Sequence, residues 1–378
     1  MKFSDGIQDL SSQSEPALPE SDKSVFFSPS NFSSDLLFDQ FRSRDKDGSS
    51  PKVLITTVPF GEQNSLPLEL LKSAGIDVSI NPVNRKLKEE ELAEIISEFD
   101  FIIAGTERIG LSVFKRADRL KFISRVGIGL DGIDLLEAKK RDIRVSYTPD
   151  APAPAVAELT IGMMLTLLRK MHIANQMMHE NKWQRLCGRR VSEVTVGIMG
   201  TGRIGGRVLR RLAAFGSPRI LVNDLCPSSG IADALKLEWV DKQTILEESD
   251  LVSIHLPLTC QTKNMIRYHH LKAMKPDAVI INTSRGGIIN ETDLAAVLAE
   301  GHLSGVGIDV FEQEPYTGPL QKYDRCLLTS HMGSMSIDCR SQMEIEATQE
   351  VIRFFKGKSL KNLVPQSEYD IQSQRLQP

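Results

Sequence analysis

From Lys52 onward, short apolar runs alternate with amphipathic ones: KVLITTV, a helical PLELLKSAGI, DVSINPV, a helical KEEELAEIISEF, then DFIIAG and KFISRVGIG. This order constrains the fold more than any other feature. Strands separated by helices pair in parallel through crossovers, and the helices cover the faces of the sheet. After the Pro-rich PDAPAPAVAE a long apolar helix is expected over 156–178, with Trp183 beyond it as a packing anchor. A second strand–helix series then runs from TVGIMG to about residue 326. A chain of 378 residues exceeds the size at which single cores stop growing, so two domains are expected. Residues 1–50, rich in Ser, Asp and Pro, read as a largely disordered extension.

TVGIMG runs directly into Gly200-Thr201-Gly202-Arg203-Ile204-Gly205 and then into the helical GRVLRRLAAFG. In that context each glycine has a purpose: the first for a tight turn, the second for close approach to a pyrophosphate, the third for helix–strand contact. The helix N-terminus adds free N–H groups and a positive dipole. The next strand, RILVND, ends in Asp224, 24 residues after Gly200 and near the spacing of roughly 20 expected of a ribose-binding acid. With no arginine in the following Leu225-Cys226-Pro227, NAD is expected rather than NADP. The architecture expected is thus α/β, two Rossmann-like doubly wound parallel-sheet domains. A substrate domain (51–150 and 327–378) is interrupted by an inserted NAD-binding domain (151–326), and the closing helix SQMEIEATQEVIRFFKG precedes a polar tail.

Bulk properties exclude several functions. A net charge of −3 gives no reason to expect a nucleic-acid partner. No apolar run has membrane-spanning length, and the start MKFSDGIQDL lacks the basic and apolar regions of a signal peptide, so a cytoplasmic protein is expected. Five scattered cysteines and seven histidines form no metal-ligand spacing.

Polar residues follow the later strands. Arg285 follows AVIIN, Asp309 and Glu314 lie in GVGIDVFEQEP, and His331 follows CLLTS. In a doubly wound sheet these positions share one edge, where ligands bind. The blocks RVGIGLDGID, PAPAVAELTIG, VGIMGTGRIGGRV, SDLVSIHLPLT, NTSRGGIIN, GIDVFEQEP and LLTSHMGS closely resemble, in order, those of the D-isomer-specific 2-hydroxyacid dehydrogenases. That group includes D-3-phosphoglycerate, hydroxypyruvate and D-lactate dehydrogenases, and the resemblance spans roughly 52–362.

The resemblance implies an NAD-dependent enzyme interconverting a D-2-hydroxy acid and its 2-oxo acid, and a homodimer, often built through the nucleotide domain. It assigns Arg285 to the substrate carboxylate and carbonyl, His331 to acid/base chemistry, and Glu314 to the carboxylate paired with that histidine. It implies cofactor contacts at Gly200, Gly202, Arg203, Ile204, Gly205, Asp224, Leu256, Thr283, Ser284, Arg285, Asp309, His331, Gly333 and Ser334. The backbone of Val126, Gly127 and Ile128 is implied to cradle the substrate carboxylate. His255 matches a family position but reads as structural.

Ala104-Gly105 stands where phosphoglycerate-specific relatives often have Arg-Ser, leaving Arg108 and Arg125 to compensate, and Asn290 replaces a common Asp. The alternative to an enzyme is an NAD-sensing, corepressor-like binding protein of the same fold.

Overall fold

The computed structural model describes residues 50–216, 218–225 and 236–375. The extension expected over 1–50, but for its last residue, lies outside the described residues, as does Cys226. The first sheet comprises β1 (Lys52–Ile55), β2 (Asp77–Ile80), β3 (Phe101–Ala104), β4 (Phe122–Arg125) and β5 (Arg144–Tyr147), in the order β2-β1-β3-β4-β5. Every pairing is parallel. β3 and β4 are buried at every position because helices cover both faces, whereas the edge strand β2 is mostly exposed.

The second sheet comprises β6 (Val196–Met199), β7 (Ile220–Asn223), β8 (Leu237–Trp239), β9 (Leu251–Ile254), β10 (Val279–Asn282), β11 (Gly305–Ile308) and β12 (Cys326–Leu328). Its order is β12-β11-β10-β9-β6-β7-β8, again all parallel. The chain lays β7 and β8 to one side of β6, then reverses and lays β9 to β12 on the other. Such a reversal leaves a crevice beyond the C-terminal ends of the two strands that flank it, here β6 and β9. β1 and β3 flank the equivalent point in the smaller sheet.

After β12 the chain returns to the first sheet through the helix Ile337–Phe355, which packs on β3 and β4. Phe354 stacks on Phe122 at 4.6 Å between centroids and meets Phe101 edge-on at 6.0 Å. Because β12 pairs with β11, the return begins after Leu328, slightly later than the boundary expected at residue 327.

Three expectations are corrected. The helix expected over 156–178 is two helices, Ala153–Leu168 and Met171–His179, separated by Lys170 at φ +54°. The returning chain enforces the break, since the Arg189 N–H donates to the Leu168 carbonyl at 2.9 Å and takes the place of the next helical turn. Trp183 is no packing anchor: it is 81% exposed, beside a helix that buries none of its residues. The tail expected to be merely polar contains the helix Gln366–Arg375. Gln372 pins it, accepting from the Leu135 N–H at 2.7 Å and donating to the Ile133 carbonyl at 2.6 Å, while Tyr369 packs on the core of the first sheet.

Candidate active site

Two cavities lie between the sheets and meet at one arginine. The outer, about 240 Å³, is lined by Arg203, Ile204, Leu256 and Ser284 from the larger sheet and by Ile128 and Tyr147 from the smaller. The inner, about 210 Å³, is lined by Lys86, Thr106, Arg125, Glu314 and His331. Gly129, Asp131 and Arg285 line both.

The glycine loop forms as its sequence requires. Gly200 follows β6 at φ +92°, and a Cβ there would lie 2.4 Å from the His255 carbonyl oxygen. A Cβ on Gly205 would lie 1.9 Å from the Gly200 carbonyl oxygen, whereas one on Gly202 would meet nothing within 4 Å. Two glycines thus close the turn against protein, and the middle one leaves open space before the helix Arg203–Leu212. Asp224, just past β7, accepts from the Thr201 N–H at 2.6 Å and its hydroxyl at 2.9 Å. Arg203 donates to Asp150 at 2.8 Å.

The inner cavity holds the proton-transfer pair. His331 Nδ1 lies 3.0 and 2.9 Å from the two oxygens of Glu314. A carboxylate only accepts, so Nδ1 carries the donated proton and Nε2 remains for chemistry. Burial pushes the Glu314 carboxyl up, but the hydrogen bond and charge of His331 outweigh it and hold the group below its ordinary value.

Asp309 fixes the loop that carries the histidine. It is fully buried and accepts from the Thr329 hydroxyl at 2.5 Å and from the N–H groups of Met332 and Gly333 at 2.7 and 2.9 Å. The His331 N–H donates to the Asp309 carbonyl at 2.8 Å, and the residue itself sits at φ +54°. Rather than facing either cavity, Asp309 holds this loop in a conformation uncommon for a non-glycine residue.

Arg285 donates from Nε to Asp131 at 2.9 Å and from Nη1 to the Ser284 carbonyl at 2.6 Å. Burial opposes the charge on Asp131, but the charge and hydrogen bond of Arg285 prevail and hold its carboxyl down at about 2. Of the other sequence-assigned positions, Thr283 is buried and its hydroxyl lies 2.8 Å from that of Thr160. Gly333 is packed against Val156, and Ser334 is partly exposed.

The loop assigned to the carboxylate is partly committed to the fold. The Val126 N–H donates to the Ala104 carbonyl at 2.9 Å and the Gly127 N–H to the Thr148 hydroxyl at 2.7 Å, so both are spent within the fold. Among the described residues no acceptor is seen for the N–H groups of Ile128 and Gly129, and both residues line the outer cavity.

Residues 161–333 match the D-isomer specific 2-hydroxyacid dehydrogenase, NAD binding domain family. Over 274 residues the chain is 35% identical to a hydroxypyruvate reductase of Thermotoga maritima, covering 71% of this chain and 88% of that one. The chain belongs to the D-isomer-specific 2-hydroxyacid dehydrogenase family.

A glyoxylate reductase of Thermofilum pendens is 36% identical over 280 residues, 72% of this chain and 82% of its own. A solved D-lactate dehydrogenase of Aquifex aeolicus, complexed with NAD and lactic acid, superposes with a TM-score of 0.75 at 25% identity, covering 83% of this chain and 98% of that one. As a member of the family, this dehydrogenase is an NAD-dependent oxidoreductase acting on the CH–OH group of 2-hydroxy acids. The open space at Gly202, set before a helix N-terminus with Asp224 beside it, fits such a dinucleotide. Among the described residues no group of three or more potential ligands is placed to hold a metal, and no helix is long and apolar enough to cross a membrane.

Sequence reasoning missed Asp131 and Glu107. Asp131 lies inside the quoted block RVGIGLDGID but gave no sign that it meets Arg285, 154 positions away. Glu107 is 2% exposed and follows β3 in FIIAGTERIG, where a charged residue after an apolar strand is the only signal. His255, read as structural, stands after β9 and lines the outer cavity, with Nε2 3.0 Å from the Ser253 hydroxyl and Nδ1 buried without a hydrogen-bond partner among the described residues.

Proposed function

We propose that this dehydrogenase interconverts a small D-2-hydroxy acid and its 2-oxo acid, with His331 as the acid/base, Glu314 as its partner and Arg285 binding the carboxylate and the reacting carbonyl oxygen. The observation that carries this reading is the His331–Glu314 pair at 2.9 Å facing the cavity that Arg285 shares with the nucleotide cleft. Bound NAD supplies or accepts the hydride. In reduction, Nε2 of protonated His331 donates to the carbonyl oxygen while Glu314 stabilises the imidazolium, and the guanidinium of Arg285 offsets charge developing on that oxygen. In oxidation the neutral ring takes the hydroxyl proton. The Ile128 and Gly129 N–H groups complete the carboxylate site.

The inner cavity of about 210 Å³ suits a short acid such as the glyoxylate and hydroxypyruvate of the relatives' names. The test is NADH oxidation across glyoxylate, hydroxypyruvate, phosphohydroxypyruvate, pyruvate and bulkier 2-oxo acids. Robust turnover of at least one short acid is expected. Tight NADH binding with no turnover would instead favour the NAD-sensing reading. NADH should be preferred over NADPH, because Asp224 would place like charge against a 2′-phosphate, and Asp224→Ala should narrow that preference.

We also infer a homodimer. Trp183, Met171 and Met178 are exposed on a helix and loop in which no residue is fully buried, an apolar surface that a second copy would cover. Light scattering should give about twice the 42.0 kDa chain mass, and a monomer at micromolar concentration would rule the dimer out.

A further inference from the structure

The proton-transfer scheme leaves two buried residues of opposite charge without a task. Arg125 ends β4 and Glu107 follows β3, both buried at the C-terminal edge of the smaller sheet. Glu107 is fixed there, accepting from the Gly105 N–H at 2.9 Å and from the Thr56 hydroxyl. Burial pushes the Arg125 guanidinium down to about 10, with the charges of Glu107 and Asp131 acting against that fall. Apolar residues of similar volume often serve as well or better in such a place, so the burial of these two calls for a reason beyond packing.

Arg125 is spent on the substrate loop. Its Nε donates to the Gly129 carbonyl at 3.0 Å and its Nη1 to the Val126 carbonyl, so one planar guanidinium grips both ends of a four-residue loop. Between those ends the loop rises over the guanidinium at Gly127, φ +136°, where a Cβ would sit 3.0 Å from Nη1. The grip leaves the Ile128 and Gly129 N–H groups as the donors not already committed.

We propose that Arg125, backed by Glu107, is a positioning residue for the substrate carboxylate, clamping the 126–129 loop so that the Ile128 and Gly129 N–H groups stay presented to the cleft. This rests on the reading that the cleft holds a 2-oxo acid by its carboxylate. The carboxyl groups of Glu107 and Asp131 and the guanidinium groups of Arg285 and Arg340 are the charges that face Arg125. Arg108, the other arginine expected to compensate for Ala104-Gly105, is held at the Asp131 carbonyl and near Glu89 instead.

The test compares pyruvate with methyl pyruvate, the same reacting carbonyl with and without a carboxylate, using NADH and the full-length enzyme. Wild type should prefer the acid. Arg125→Lys keeps a positive charge but cannot span two carbonyls, so the acid-over-ester ratio of kcat/KM should fall roughly 10- to 100-fold. The loss should come through KM, with NADH affinity unchanged. Glu107→Gln, which keeps the shape and removes the charge opposing Arg125, should lower the ratio in the same direction and carries the test should Arg125→Lys fold poorly. An unchanged ratio in a folded variant overturns the proposal, and so does full retention by lysine, which would mean that charge alone suffices. Arg285→Lys runs in parallel: if it alone collapses the ratio, the carboxylate reading stands and only the clamp falls. If neither arginine variant moves the ratio, the carboxylate reading falls as well.

Discussion

His331→Ala should depress kcat in both directions by roughly 10²–10⁴-fold, about 3–5 kcal/mol of barrier, while NADH binding is largely spared. The separation is expected because the ring lines the inner cavity, whereas Arg203 and Ile204 of the glycine loop line the outer one and Asp224 is bonded to Thr201 of that same loop. The Glu314 partner gives a second, directional signature. Its carboxyl is held below the ordinary value, so it is ionised across any practical assay range and stabilises the protonated ring throughout. Reduction consumes a proton from His331 and should fail as pH rises. Oxidation needs the neutral ring and should fail as pH falls. Glu314→Gln removes the negative charge, the imidazolium gives up its proton more readily, and both limbs should move to lower pH. The measurement is kcat/KM against pH in each direction, with deuterated NADH showing that chemistry limits the rate. A profile that stays in place in Glu314→Gln would break the pairing, and full activity of His331→Ala would break the mechanism.

Arg285→Lys should be the other large loss, roughly 10²–10³-fold in kcat/KM, although charge is conserved. The guanidinium uses Nε toward Asp131 and Nη1 toward the Ser284 carbonyl and still has Nη2. A single ammonium cannot hold Asp131 and also reach a substrate oxygen in a fixed plane. Steady-state kinetics on the best 2-oxo acid from the panel decides this. Near-normal kcat/KM would move the carboxylate to another cation, and Lys86 and Arg125 line the same cavity.

Much of this was legible in the sequence because its cause is local or periodic. The alternation of strand and helix carries both parallel sheets, and the glycine loop carries the turn at Gly200 and the contact at Gly205. Other features were hidden because their causes are distant. The break at Lys170 depends on Arg189 reaching back to Leu168, and nothing in the apolar run 156–168 announces it. The helix Gln366–Arg375 reads as polar in isolation and is held by Gln372 reaching Ile133 and Leu135. Family order assigns Asp309 to the cofactor, and only three dimensions show that its carboxylate accepts from Thr329, Met332 and Gly333. Likewise the N–H groups of Val126 and Gly127 are claimed by Ala104 and Thr148, a backbone fact with no trace in side-chain identity.

The Arg285–Asp131 pair ties the two walls of the cleft to each other. Asp131 comes from the half of the molecule built on the smaller sheet and Arg285 from the half built on the larger. Held at Nε by that carboxylate and at Nη1 by the Ser284 carbonyl, the guanidinium has its plane set before any acid arrives, with Nη2 left over. On the proposed reading, the entropy of orienting a long side chain is lost in folding rather than at binding, and an incoming acid has only to align with a cation whose plane is already fixed.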